Sequence, residues 1–377
     1  MIYLDHAATT PMRPAAIAAM EPYLTEAFGN PSGVHGTSRR AKNALEAARE
    51  RAADLLGAAH PLEIVFTGGG TESDNLGVAG PALAGGGRGG VVTTAVEHEA
   101  VLETARFLGR LGCPVAVVGV DGDGRVGPDA VADACDDRTV VVSVMAANNE
   151  TGARQPVAEI AAAVRSRTPG TVVHSDAVQA FVSEDVRMDV LAVDLLTVAS
   201  HKFGGPKGVG VLVVRDGVEL EPVVHGGGQE LDRRSGTHNV AGIVGMVAAM
   251  EAAVADRDRF RADVAAARAA FEGGLAAAIP DLEVTASAHR LVQHSHVRLP
   301  GVAAEDLLIR LDAAGIAASA GSACQSGAIE VSHVLSAMGV PSDAAAETVR
   351  FTFGWTTTPD DGERAGAVVG ATARELR

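Results

Sequence analysis

Residues 195–208 read Leu-Leu-Thr-Val-Ala-Ser-His-Lys-Phe-Gly-Gly-Pro-Lys-Gly. The first five residues are typical of a buried strand, and the others form a polar turn rich in glycine. Lysine is normally a solvated surface residue, so a lysine in a turn directly after a buried strand is poorly explained by fold stability. We therefore expect Lys202 to have a function at the end of this strand.

Similar β-branched runs lie on both sides of this stretch, and helical patterns separate many of them. The runs are residues 64–66, 91–94, 115–118, 140–145, 172–174 and 209–214. Strands that alternate with helices predict an α/β fold whose largely parallel sheet has helices on both faces. Ligands of such sheets bind at the carboxyl ends of the strands, which is where the polar clusters of this chain fall.

The character of the sequence changes beyond residue 250. An alanine- and arginine-rich helical pattern covers 251–278, and strand-like runs follow near 292–299 and 349–353. The chain has 377 residues, which favours two domains over one core. We predict a large domain at 14–252 and a smaller α+β domain formed by 1–13 and 253–377.

Composition limits the classes of function. The formal net charge of −16 argues against direct binding of nucleic acid or an anionic membrane. The longest apolar stretch, 240–250, is too short for a bilayer and predicts a buried helix instead. Three irregularly spaced cysteines and a start without a secretory pattern favour a reduced, cytoplasmic protein.

Residues 67–73, Thr-Gly-Gly-Gly-Thr-Glu-Ser, follow one strand and precede a helical pattern. Glycines allow backbone N–H groups to crowd an anion, and a helix N-terminus adds a favourable partial charge. This segment is a candidate phosphate site, although a plain glycine turn explains it equally well when it is taken alone.

Only three lysines occur in the chain, namely Lys42, Lys202 and Lys207. Lys42 lies on the polar face of a predicted helix, and Lys207 lies within a Gly-Pro-Lys-Gly turn. An amine at a strand end, beside a phosphate site, can become nucleophilic and form an imine with an aldehyde cofactor. Lys202 is therefore the candidate for that bond.

Further polar residues follow two other strands. Asp176 comes after the run 172–174, where a carboxylate could pair with a protonated pyridine nitrogen or simply cap a helix. Asn148 and Asn149 follow the run 140–145, where they could form a turn or bind polar ring substituents.

Cys324 lies among small residues at 319–327, which suits a loop whose thiol reaches a reaction centre. Cys113 and Cys135 do not lie in such a loop, and we predict that both are buried and pack in the apolar core. Three histidines near residue 290 do not follow a strong metal-ligand spacing, so no metal site is predicted.

Together these residues resemble the cysteine desulfurases of the NifS and IscS branch, which are class V enzymes of the type I pyridoxal-phosphate fold. Any single matching motif is weak, but their order along nearly the whole chain is specific. The motifs are Tyr3-Leu4-Asp5-His6-Ala7-Ala8-Thr9-Thr10-Pro11, Gly29-Asn30-Pro31-Ser32, Glu97-His98, Ser143-Val144-Met145-Ala146-Ala147-Asn148-Asn149-Glu150, Arg234-Ser235-Gly236-Thr237, Ser322-Ala323-Cys324 and Arg350-Phe351-Thr352-Phe353-Gly354.

The resemblance implies a role for each matching residue. Lys202 would hold pyridoxal 5'-phosphate and move protons, His98 would stack on the ring as a further acid or base, and Cys324 would accept sulfur. Arg350, together with Asn149, would bind the substrate, since its planar fork suits a carboxylate. The other cofactor contacts implied are Gly70, Thr71, Asn149, Asp176 at the pyridine nitrogen, Gln179 at the ring hydroxyl, Ser200, His201 and, from a second subunit, Thr237.

The implied reaction converts L-cysteine to L-alanine and leaves a persulfide on Cys324, in a cytoplasmic homodimer. The sulfur would pass to an acceptor protein that serves iron–sulfur cluster assembly or the thiolation of tRNA or a cofactor. The family usually has serine where this chain has Ala199, so either Ser200 replaces that phosphate contact or one phosphate hydrogen bond is missing. Two other hypotheses are a different class V reaction, such as transamination or selenocysteine lysis, and a non-catalytic scaffold.

Overall fold

The computed structural model describes residues 1–286, 288–320 and 332–377. Its strands are β1 (Ile2–Tyr3), β2 (Ile64–Thr67), β3 (Gly90–Thr94), β4 (Val115–Val118), β5 (Thr139–Ser143), β6 (Val172–Asp176), β7 (Leu195–Ala199), β8 (Gly210–Val214), β9 (Glu283–Val284), β10 (His294–Arg298), β11 (Ile316–Ala317) and β12 (Thr348–Thr352). Its helices are α1 (Pro14–Leu24), α2 (Gly36–Leu56), α3 (Gly70–Leu83), α4 (Glu99–Arg110), α5 (Pro128–Asp133), α6 (Val157–Arg167), α7 (Met188–Leu191), α8 (Val240–Ala255), α9 (Arg257–Ala278), α10 (Ala304–Ala313), α11 (His333–Ala337), α12 (Ser342–Ala345) and α13 (Pro359–Leu376). Short 3-10 turns cover Pro61–Glu63, Ala84–Gly86 and Ser200–Lys202.

A seven-stranded sheet organises most of the chain, in the order β2-β8-β7-β6-β5-β3-β4. The pairs formed among β3, β4, β5, β6 and β7 are all parallel, whereas β8 runs antiparallel to both β7 and β2. The predicted α/β class with a mainly parallel sheet is therefore confirmed. Strands β2, β3, β5, β6 and β7 point the same way, so their carboxyl ends meet at one edge.

The buried residues form two main apolar clusters. The first lies between this sheet and helices such as α2, α6 and α8. The second joins α9, α10 and α13 to a three-stranded antiparallel sheet of order β12-β10-β9, with Phe271 packed 4.7 Å from Phe351 between ring centroids. Ile2 and Leu4 belong to the second cluster, which places the start of the chain there. The division at 14–252 stays a prediction.

The long helical pattern predicted over 251–278 is wrong in one respect, because it is divided between two helices. Helix α8 ends at Ala255 and α9 begins at Arg257, while Asp256 between them accepts a hydrogen bond from Arg13 at 3.0 Å. The apolar face of α8 belongs to the first cluster and that of α9 to the second. One straight helix could not bury both faces, so the chain bends at this point.

Cys113 and Cys135 are buried, as predicted. Within the part of the chain that the structure describes, no helix has the length and apolar character needed to cross a membrane. The described residues also contain no group of three His, Cys, Asp or Glu side chains arranged to hold a metal ion.

Candidate active site

A cavity of about 400 Å³ lies where the carboxyl ends of the parallel strands meet. Nine of the residues predicted for the site line it, although they come from distant parts of the sequence. They are Gly70, Thr71, His98, Asn149, Asp176, Gln179, His201, Lys202 and Arg350. The structure thus brings most of the predicted site together, and it leaves Ser200 and Thr237 outside this cavity.

Lys202 ends the short 3-10 turn that follows β7. Its Nζ donates hydrogen bonds to the carbonyl oxygens of Ala7 at 2.5 Å and Ala8 at 3.0 Å. Burial and nearby Arg350 lower the pKa of Lys202 to about 8, against a partial offset from Asp176 and Asp5. Roughly a tenth of this amine is therefore unprotonated at pH 7, and that fraction is the nucleophilic form.

Asp176 is the last residue of β6 and is buried at the floor of the cavity. Its Oδ1 accepts the backbone N–H of Val178 at 2.8 Å, so it also stabilises the turn after the strand. Burial raises the pKa of Asp176, whereas His98 and Lys202 oppose that rise. A buried carboxylate has lost the water that stabilised its negative charge. A cationic partner, such as a protonated ring nitrogen, would stabilise that charge instead. Gln179 lies one turn further on and donates to Ala7 O at 2.9 Å.

The glycine-rich segment after β2 leads directly into α3. Gly69 has a φ of 148°, a backbone conformation that favours glycine, and α3 begins at Gly70. The first N–H groups of a helix have no carbonyl partners within it, so they can bind an anion beside Thr71. His201 lines the cavity with Gly70 and Thr71. Burial, together with the positive charges of Lys202 and Lys207, lowers the pKa of His201 to about 4. It is therefore neutral at pH 7.

The geometry of Ser200 favours the missing hydrogen bond over a replacement contact. Its side chain is fully buried, its Oγ has no hydrogen-bond partner among the described residues, and a Cβ placed on Gly205 would lie only 2.1 Å from that Oγ. Ser200 therefore points into the protein, against Gly205, while its neighbours Ala199 and His201 line the cavity.

Arg350 lies in β12 and reaches the cavity from the second apolar cluster. Its Nη2 donates to Asp5 Oδ1 at 2.7 Å, and its Nη1 donates to the carbonyl oxygen of Asn149 at 2.9 Å. These two contacts fix the plane of a nearly buried guanidinium. Its remaining N–H groups can bind a carboxylate in the cavity.

His98 is the N-cap residue of α4, a role that the sequence analysis did not assign. Its Nδ1 accepts the backbone N–H of Ala100 at 3.1 Å. The neutral ring must therefore carry its hydrogen on Nε2, because Nδ1 is used as an acceptor.

Two predicted site residues stand apart from this geometry. Thr237 is exposed and does not line the cavity, so its contribution to the site of a second subunit stays a prediction. Cys324 lies outside the described residues, and its role as the sulfur acceptor also stays a prediction.

The cavity also contains polar residues that the sequence analysis missed, notably Asp74, Glu150 and His333. Asp74 lies one turn into α3, where helix periodicity from Gly70 could have predicted it. Glu150 directly follows Asn149 in a motif that was recognised only for its asparagines. His333 has no local signal, because its position depends on how α11 packs against the strand ends.

The described residues fit pyridoxal phosphate. Lys202 offers an amine of lowered pKa, Asp176 a buried carboxyl group, and the start of α3 an anion site. Arg350 Nε is buried without a hydrogen-bond partner among the described residues, as expected for a group beside a polar ligand.

Comparisons with known proteins agree with this geometry. Residues 2–364 match the family model of Aminotransferase class-V. A cysteine desulfurase IscS from Dictyoglomus turgidum is 42% identical over 362 residues, covering 96% of this chain and 91% of the relative. A solved NifS-like protein is 34% identical with a TM-score of 0.91, covering 98% of both chains. A second structure, SspA in complex with cysteine, is 32% identical with a TM-score of 0.82, covering 94% of this chain and 99% of that one.

The motifs named above, the fold and these matches all extend over nearly the whole length of the chain. The predicted resemblance is thus confirmed: the chain belongs to the aminotransferase class-V family and, within it, to the pyridoxal-phosphate-dependent cysteine desulfurases.

Proposed function

We propose that this chain converts L-cysteine to L-alanine and takes up the released sulfur as a persulfide on Cys324. The observation that carries the proposal is the cavity in which Lys202, with its pKa lowered to about 8, meets Asp176 and Arg350. An amine, a buried acid and a fixed guanidinium are what an amino-acid substrate and pyridoxal phosphate require. The relative solved in complex with cysteine supports the choice of substrate.

The chain's residues would hold the cofactor at both ends. Lys202 would bind it covalently, Asp176 would face the ring nitrogen, and Gln179 and Asn149 would face the ring hydroxyl. Gly70, Thr71 and His201 would hold the phosphate, since all three line the same end of the cavity. When bound, pyridoxal phosphate supplies an electron sink for the charge that develops at the substrate's α-carbon.

Proton transfer would fall to Lys202 and His98. Once the substrate displaces it, the Lys202 amine is free to take the α-proton, and its lowered pKa suits a base that works near neutral pH. His98 would lie against the ring as a second acid or base. Its position at the start of α4 is fixed by its hydrogen bond from Ala100.

Arg350 would orient the substrate by its carboxylate. The contacts with Asp5 and the carbonyl oxygen of Asn149 hold the guanidinium before substrate arrives, so little side-chain entropy is lost on binding. The α-carbon of the substrate would then lie in the same cavity as Lys202.

Cys324 would be the sulfur acceptor because the other two cysteines are unsuitable. Burial raises the pKa of both Cys113 and Cys135, which keeps them as thiols, and both are nearly inaccessible. A thiolate is the nucleophilic form, so neither buried cysteine can take sulfur from a substrate in the cavity.

We also propose a cytoplasmic homodimer in which Thr237 completes the phosphate site of the partner subunit. Phe28 and Val34 are 74% and 90% exposed, which supports a surface that a second chain covers. The persulfide would pass to an acceptor protein of iron–sulfur cluster assembly or of a thiolation pathway. The net charge of −16 supports a protein acceptor over direct contact with nucleic acid.

The proposal is tested with two variants and a control. Cys324→Ser should keep the visible absorbance of the bound cofactor and lose alanine formation from cysteine. Lys202→Ala should lose that absorbance, and Cys113→Ala should keep both properties. Alanine formation that persists in Cys324→Ser would overturn the sulfur-acceptor assignment, and a purified protein without visible absorbance would favour the scaffold hypothesis.

A further inference from the structure

His333 is a cavity residue for which the site described above has no use. It is the first residue of α11, and its ring lines the cavity together with His98 and Arg350. Its Nε2 lies 3.0 Å from the carbonyl oxygen of Glu97. A carbonyl oxygen can only accept, so this nitrogen carries the hydrogen and donates it.

The second ring nitrogen of His333 is consequently an acceptor. Among the described residues, Nδ1 of His333 has no hydrogen-bond partner. His98 has the opposite arrangement, because its Nδ1 accepts the N–H of Ala100, which leaves the hydrogen of a neutral ring on Nε2. When both rings are neutral, His333 can accept a proton at Nδ1 without losing a hydrogen bond shown here, whereas His98 cannot.

Acidic side chains line the cavity beside His333. Glu150 is buried there and accepts a hydrogen bond from Ser332, the N-cap residue of α11, at 2.6 Å. Burial raises the pKa of Glu150, while the hydrogen bond from Ser332 and the charges of His333 and Arg350 oppose that rise. Glu99 also lines the cavity, as does the cation Arg350. A proton taken up by His333 would therefore have a buried carboxyl group nearby.

The three polar ends of L-cysteine need three different partners. Its amino group belongs to Lys202 and the cofactor, and its carboxylate belongs to Arg350. The thiol requires a group that can receive its proton while the sulfur leaves, and His333 is the histidine of the cavity whose Nδ1 has been given no role.

We infer that His333 is the proton acceptor for the thiol of the substrate, an assignment that rests on the proposed function. The sulfur leaves the β-carbon of the substrate and bonds to the acceptor thiolate, and the electron pair of the broken C–S bond stays on the carbon that becomes the methyl group of alanine. The S–H bond also breaks, and its electron pair stays on sulfur. The proton forms the Nδ1–H bond of an imidazolium, and the persulfide is left as its anion. No oxidant or reductant is consumed in this transfer.

A comparison of L-cysteine with L-selenocysteine as substrates distinguishes proton transfer by His333 from a purely structural role of this residue. The selenol is a stronger acid than the thiol and is already ionised at neutral pH, so it has no proton to give to His333. His333→Gln is the sharpest variant, because the amide nitrogen of glutamine can still donate to Glu97 O, whereas its amide oxygen is not basic enough to take the proton. We expect it to lower kcat/KM for L-cysteine roughly 100-fold and to change that for L-selenocysteine less than about threefold.

His289→Gln is the matched control, since His289 is an exposed histidine outside the cavity, and it should leave both substrates unaffected. Visible absorbance of the cofactor should be unchanged in both variants. His333→Asn carries a shorter amide and should likewise lose activity with L-cysteine far more than with L-selenocysteine. An equal loss for both substrates, or full activity with cysteine, would overturn the inference. A wild-type protein that forms no alanine from cysteine would refute the proposed function instead.

Discussion

Arg350 and Asp5 form a salt bridge of 2.7 Å between Nη2 and Oδ1, although they lie 345 positions apart in the chain. Asp5 follows β1 and Arg350 lies in β12, so the two ends of the chain jointly build the group that would bind the substrate carboxylate. The start of the chain therefore contributes to the site in two ways. Asp5 holds Arg350 through this salt bridge, and the carbonyl oxygens of Ala7 and Ala8 accept hydrogen bonds from Lys202.

Asp5→Asn should weaken substrate binding more than turnover. Asparagine has nearly the same shape as aspartate but lacks the negative charge that holds the guanidinium of Arg350 in place. We expect KM for cysteine to rise about fivefold with a smaller change in kcat, because a partly exposed ion pair contributes about 1 kcal/mol. Steady-state kinetics of alanine formation measure both constants. A fall in kcat at constant KM would contradict the assignment of Asp5 as a positioning residue.

Ala199→Ser should strengthen retention of the cofactor, because Ala199 lines the cavity beside His201 and a hydroxyl there can reach the phosphate. One added hydrogen bond of about 1 kcal/mol corresponds to roughly fivefold slower loss or tighter binding. The measurement is the visible absorbance that remains after dialysis.

Ser200→Ala is the control for that variant. Its Oγ is buried without a partner among the described residues and points away from the cavity, so cofactor retention should not change. Weaker retention in Ser200→Ala would restore the original expectation for this residue.

Glu97→Gln should change the pH dependence of stability. Glu97 is fully buried, and burial raises its pKa from an ordinary value of 4.5 to about 8, against hydrogen bonds from Met145 N–H and Thr94 Oγ1. The folded state therefore holds this proton more tightly than the unfolded state does. Its contribution to stability is complete below pH 4.5 and is lost as the pH rises towards 8.

The glutamine variant does not titrate at this position. Its free energy of unfolding should therefore gain relative to the wild type, by up to a few kcal/mol, as the pH rises from 5 to 8. Urea unfolding at both pH values measures the difference. A difference between the two proteins that stays constant with pH would contradict the raised pKa.

Glu230→Gln should destabilise the fold. Glu230 accepts hydrogen bonds from Arg49 at 2.7 and 2.8 Å, and burial would raise its pKa, but Arg49 and His238 outweigh that effect and lower it to about 2. Glu230, Leu231 and Asp232 all have positive φ, so this anchor also holds strained backbone before Thr237. Breaking such a buried pair costs about 3–5 kcal/mol.

Chemical denaturation at pH 7 measures that loss. Glu251→Gln is the matched control, since the ion pair of Glu251 with Arg51 is exposed and should contribute little to stability. Equal effects in the two variants would show that the buried pair is not the anchor of this segment.

The sequence by itself determined the strands, the glycine-rich turns and the identity of Lys202. These features are local: alternation and β-branching specify a buried strand, and a lysine after such a strand is unusual wherever the chain folds. The positions of Lys202, Asp176 and Thr71 at one sheet edge also followed from sequence, because parallel strands align their carboxyl ends.

Only the tertiary structure decided which way side chains point and which distant residues meet. Ser200 faces Gly205 instead of the cavity, an orientation set by the 3-10 turn that begins at this residue. His333 meets the carbonyl oxygen of Glu97, and Arg350 meets Asp5, through packing between segments hundreds of positions apart. Such contacts depend on how helices and sheets settle against one another, which the local pattern of residues does not encode.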